Sequence, residues 1–142
     1  MADTKLNPIV QAYAEDAEKI TKGVEVALQR LPGAVAVIRK MPNTDYLAAV
    51  DRKYADNQAR LKELYDSGRD AEADALNTQL MSEVLVETVI MRVSYRDGDK
   101  MVNVPKKQLI EMLSSQEMLP FRNELLSHAE DFELFRKYDV KN

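Results

Sequence analysis

No cysteine occurs anywhere in the 142-residue chain, which excludes disulfide stapling, thiolate catalysis and cysteine-based zinc sites. The absence suits a reducing compartment. Glycine and proline are sparse, four and five residues mostly spaced singly, and they leave no Gly/Ser-rich linker and no low-complexity tract. No two glycines lie close enough together to form a GxGxxG or GxxxxGK phosphate loop. Long hydrophobic runs are also missing. The start, Met1-Ala2-Asp3-Thr4-Lys5, has no apolar stretch of the secretory kind, and no later run has the length to span a bilayer. The expectation is a soluble protein that stays inside the cell. Nor does one charge sign dominate: 20 Lys and Arg stand against 24 Asp and Glu, interspersed, for a net charge of -4. A nucleic-acid footprint needs a basic face to offset phosphate charge, so nucleic acid is not an expected partner.

What is present suits a single domain. Apolar residues make up 45% of the chain, enough for a modest core at this length. Asn7-Pro8 followed by Ile9, Val10, Tyr13, Ala14, Ala17 and Ile20 places Pro at a first helical position and apolar groups at helical spacing. A leading helix is expected over 1–23. Val24 to Leu28 and Ala34 to Ile38 flank Leu31-Pro32-Gly33, the pattern of a β-hairpin over 24–41. Met41-Pro42-Asn43-Thr44-Asp45 supplies N-cap residues for a helix carrying Leu47, Val50, Tyr54, Leu61, Leu64 and Tyr65, with Ser67-Gly68 as its stop.

A second helix carries Leu76, Leu80 and Val84 on one stripe, widened by Met81 and Leu85, so 43–93 reads as a helical hairpin. Within it, Thr88 to Tyr95 fits either a continued helix or a new strand, because short apolar runs do not declare their period. Asp97-Gly98-Asp99 is a turn. Pro105 and Pro120 open C-terminal helices over 105–139, the second carrying Phe121, Leu125, Leu126, Ala129, Phe132 and Phe135. Val140-Lys141-Asn142 should fray. The fold class expected is mainly α with a small β-hairpin (α+β), the N-terminal hairpin lying on a helical domain.

Chemistry-bearing constellations are thin. His128 is the only histidine, with Glu124 and Asp131 on its helical face, and reads as a solvated surface residue rather than a ligand or catalyst. Glu15-Asp16-Glu18 and Asp70-Glu72-Asp74 lack the turn Gly and terminal bidentate Glu of a calcium loop and read as helix-start charges. No metal, cofactor or enzymatic activity is expected. Seven Met are many for this length and fit either a soft, repackable partner surface or gap filling, the latter at Met91, Met112 and Met118.

The order of features resembles that of tail assembly chaperones from long-tailed bacteriophages. The likeness spans roughly 23–141. It is carried by Val84-Leu85-Val86-Glu87-Thr88-Val89-Ile90-Met91-Arg92-Val93, the turn Asp97-Gly98-Asp99-Lys100, the run from Val104-Pro105 to Met112-Leu113, and the stretch from Phe121-Arg122 to Phe135-Arg136. The Pro-Gly turn within Val24 to Ile38 and the lead-in Arg39-Lys40-Met41-Pro42-Asn43 match the family as well. Many members have a Trp-Gly pair before the acidic turn, where this chain has Arg92-Val93-Ser94. The resemblance implies a protein in the cytoplasm of an infected bacterial host. It would bind the tape-measure protein during tail assembly, keep it soluble and hand it to tail-tube protein.

Mixed charge gives no single-sign field to attract such a client, so apolar contact is expected to carry binding. The candidate contacts are Leu61, Leu64, Tyr65, Met81 and Leu85, on the helical hairpin. The rest of the domain or a second copy of the chain, as a homo-oligomer, would cover the same residues equally well. The competing functional reading is a virion structural adaptor, either a head-tail connector or a baseplate component. A transcription regulator is disfavoured by acidity and by the lack of a basic recognition helix.

Overall fold

The computed structural model describes residues 7–138. The first six residues of the expected leading helix and the tail at 139–142 lie outside the described residues. The leading segment forms two short helices, α1 (Pro8–Tyr13) and α2 (Ala17–Lys22), where one was expected. The break has a backbone cause. Asp16 N donates to Phe135 O at 2.8 Å and Lys137 N donates to Ala14 O at 3.0 Å. Groups engaged with the other end of the chain are withheld from the helical ladder. Asp16 then restarts the helix, its carboxylate accepting from Glu18 N and Lys19 N.

The expected hairpin is present as β1 (Val24–Ala27) and β2 (Val35–Ile38), paired antiparallel. Its entry needs Gly23. The residue has φ +88°, and an added Cβ would lie 2.9 Å from Val37 Cγ1 and 3.0 Å from Ile38 O. Asn43 then caps α3 (Thr44–Asp66) by accepting from Tyr46 N at 2.8 Å. Buried itself, Asn43 also donates to Lys40 O and Thr88 O, tying the start of one helix to the end of the next. At the far end, Gly68 N bonds Tyr65 O and Arg69 N bonds Leu64 O. These two bonds with Gly68 at φ +75° make a Schellman stop. The chain turns there into α4 (Asp70–Thr88).

The sheet has four strands, not two. β3 (Ile90–Asp97) and β4 (Lys100–Asn103) extend it in the order β1-β2-β3-β4, antiparallel throughout. Thus α4 ends at Thr88, short of the helical limit of 93 expected from sequence. The β-branched run Val89-Ile90 meets a waiting partner in β2, and Arg39 N donates to Val89 O at 2.7 Å. Between Val37 and Ile38 the register shifts by one residue, leaving Met91 as the bulge. Val26, Ala36 and Val93 lie in register on the buried face. Glu25, Val37 and Arg92 line up on the opposite face, where Arg92 and Glu25 approach to 3.6 Å.

Two helices and two 3-10 turns close the domain. α5 (Lys106–Ser114) and α6 (Leu119–Ala129) are joined by a 3-10 turn, Gln116–Met118. The expected last helix stops at Ala129, and Phe132–Phe135 forms a separate 3-10 turn with Asp131 as its cap. The main core joins the buried sheet face to Leu85, Val86 and Val89, to Leu109 and Leu113 of α5, and to Leu125 and Ala129 of α6. The second half of α4 is buried on nearly every side, as a helix packed on three neighbours must be. The outer half of the α3–α4 hairpin has its own small core of Leu61, Leu64, Ala73 and Leu80. The fold is α+β and mainly helical.

Candidate protein-binding groove

The five residues expected to form an exposed contact stripe do not share a surface. Leu61 and Leu64 are buried in the hairpin seam and Leu85 is buried in the main core. Met81 is half-buried beneath Tyr46, whose Oη lies 3.7 Å from its Sδ. Only Tyr65 is exposed, and its phenol donates to Asp74 Oδ1 at 3.0 Å. Ionisation would break that bond and set two negative charges together, so the phenol titrates above its ordinary value of 10.0. The hairpin uses Leu61 and Leu64 in its own seam, while Leu85 and Met81 pack on the main core where α4 meets the sheet and α5.

The apolar concavity lies instead at the end of the sheet where β1 turns into β2. Leu28 and Leu31 of the turn, Tyr95 of β3, Met112 of α5, Met118 of the 3-10 turn and Phe121 of α6 enclose a groove of about 340 Å³. Sequence and backbone together position these groups. Leu28 N bonds Ala34 O and Ala34 N bonds Leu31 O, tightening the Pro-Gly turn. Gln29 N donates to Glu124 Oε2 at 2.9 Å, pinning the turn to α6. Arg30 and Glu117 carry opposite charges at the rim. Leu31 is 53% exposed and Tyr95 is also exposed, so the groove's apolar lining reaches water.

Such a site binds by removing apolar area from water, and the thioethers of Met112 and Met118 let it adapt to more than one shape. A wider trough of about 1200 Å³ runs between α4 and the α5–α6 connection, but Asp74, Glu83, Lys107 and Glu111 line it. Its apolar groups, Ile110, Leu113 and Leu119 among them, are interspersed with those charges, whereas the smaller groove is lined almost wholly by apolar side chains.

Reasoning from sequence missed this groove by assigning Met112 and Met118 to the core, where both are only half-buried. A signal was present, since Leu28 and Leu31 flank a turn where polar residues are usual. His128, expected to be solvated, is half-buried, and its Nε2 is enclosed without a hydrogen-bond partner among the described residues. The acidic runs are engaged locally. Asp16 caps α2, Glu15 pairs with Lys40, Glu18 with Lys22 and Glu72 with Arg69. Asp97-Gly98-Asp99-Lys100 is the β3–β4 turn.

The chain is a mainly helical α+β fold with an open apolar groove, and no helix among the described residues is long and apolar enough to cross a membrane. No protein-family model, curated protein or solved structure matches the chain.

Proposed function

We propose that this chain is a tail assembly chaperone of a long-tailed bacteriophage. It binds the tape-measure protein in the host cytoplasm, keeps it soluble, and passes it to tail-tube protein without catalysing a reaction. The observation that carries this reading is the methionine-lined groove at the β1–β2 turn, together with the order of sequence features shared with that family. A helper that must later let go needs modest affinity. Each large apolar side chain taken up by the groove contributes roughly 1.5–3 kcal/mol, while micromolar binding requires about 8 kcal/mol. Two or three anchored residues reach about that energy at most before the cost of ordering them, so the groove holds a client weakly and reversibly and other contacts must add to it.

Co-expression with the tape-measure protein of the same phage tests the proposal. The expected result is a soluble complex that survives high salt, with the chain absent from purified virions. A chain present in virions at fixed copy number is a structural adaptor instead. Tape-measure protein that stays soluble without this chain removes the chaperone role.

A further inference from the structure

We infer that the outer side of α3 is a self-association surface on which a second copy of this chain docks antiparallel, two hairpins forming a four-helix bundle. The side of α3 facing α4 is already committed, through buried Ala49 and Leu64 and the 3.8 Å contact of Lys53 with Glu83. The flank of α3 beside that seam carries a shallow groove of about 640 Å³. Half-buried Val50 and Tyr54 and the edge of the seam residue Leu61 form its floor, Asp51 stands at one end and Lys62 at the other. At 3.6 residues per turn, Asp51, Ala55, Gln58 and Lys62 fall in one file, and Leu47, Tyr54, Leu61 and Tyr65 in the next. Leu47 is 54% exposed and Tyr65 is 43% exposed, so the apolar file reaches water at both ends.

This surface complements itself. Turned end for end about a two-fold axis beside residue 56, a second α3 brings Asp51 against Lys62 of the other copy, twice. The same operation sets the exposed Leu47 against the exposed Tyr65 of the other copy, also twice. Parallel pairing would oppose Asp51 to Asp51 and Lys62 to Lys62. Asp51 makes no ion pair among the described residues, and Lys62 is held only by an exposed bond to Asp66 on its own helix. Ala55, exposed near the axis, has no side chain beyond Cβ to hold the helices apart. An isologous contact of this kind closes on itself and gives a dimer rather than a fibre. The groove at the β1–β2 turn takes no part in it.

Sedimentation equilibrium of the full chain over a concentration series tests the inference, with thermal melts confirming that each variant folds. The unaltered chain should dimerise reversibly. Asp51→Lys and Lys62→Asp, both at exposed positions, should each weaken dimerisation about tenfold, since each turns two attractive pairs repulsive. An equimolar mixture of the two variants should recover a heterodimer, and the double variant should recover a homodimer. Ala55→Arg should give a folded monomer. The inference is overturned by a wild-type chain that stays monomeric throughout, by charge reversals that leave dimerisation unchanged, or by single variants that weaken it yet fail to recombine.

Discussion

Replacing Phe135 by alanine removes an aromatic ring with 0% exposure from a 3-10 turn that ties both ends of the chain together. Its carbonyl accepts from Asp16 N, the neighbouring Arg136 forms a backbone β-bridge with Glu15, and the Arg136 carbonyl accepts from Lys19 Nζ at 2.9 Å. A buried Phe→Ala change costs about 3–5 kcal/mol, the lost transfer energy plus the cavity. In a domain of this size each kcal/mol lowers Tm by about 3 °C, so the fall should be on the order of 10 °C. Phe132, expected like Phe135 on the apolar face of the last helix, is half-buried. It makes a tilted contact with Tyr13 at 6.3 Å between ring centroids and lies 5.8 Å from the Arg136 guanidinium. Phe132→Ala should cost about 1 kcal/mol. Thermal melts followed by circular dichroism give the ranking, and amide exchange at α1 and α2 should rise in Phe135→Ala. Equal costs at the two positions, or a Phe135→Ala chain as stable as wild type, would refute this assignment of the anchor.

Asn43→Ala should destabilise by roughly 2 kcal/mol in chemical denaturation, because it removes a helix cap and leaves the buried Thr88 carbonyl one donor short. Gly23→Ala should be worse than an ordinary loop substitution, since the left-handed φ and the 2.9 Å approach to Val37 both oppose a Cβ; a neutral result in the same assay would contradict that geometry. The Tyr65 phenol, titrated by ultraviolet absorbance, should ionise above its ordinary value, and Asp74→Ala should lower the midpoint. Because its folded pKa is raised, the stabilisation it gives is complete below the ordinary tyrosine value and is lost as pH climbs through the folded one.

Local signals carried much of the architecture. Asn43 as a cap, Ser67-Gly68 as a stop, Pro32-Gly33 as a hairpin turn and Asp97-Gly98-Asp99 as a turn each act through their own backbone preferences, and each lies where the sequence places it. What sequence left open depended on distant partners. Thr88 to Tyr95 had no period of its own, and pairing with β2 decided it as strand after Thr88. The break between α1 and α2 comes from hydrogen bonds to residues near position 136, which local sequence does not contain. The candidate contacts failed for a related reason. Spacing puts Leu61, Leu64 and Leu85 on apolar stripes but does not say how much of a stripe a neighbour covers, and all three are covered. The groove is assembled from four separate segments, so no single stretch of sequence displays it.

Under the proposed function, apolar contact in the groove at the β1–β2 turn holds the tape-measure protein. Leu31→Glu and Met118→Glu place charge in that groove at an exposed and a half-buried position, where folding should survive. The measurement is the fraction of co-expressed tape-measure protein that stays soluble and co-purifies with each folded variant, beside the wild-type chain and the control Lys62→Asp on the far hairpin. The account predicts that both groove variants lose at least tenfold of the complex while the control keeps it; groove variants that hold the client as well as wild type would contradict it.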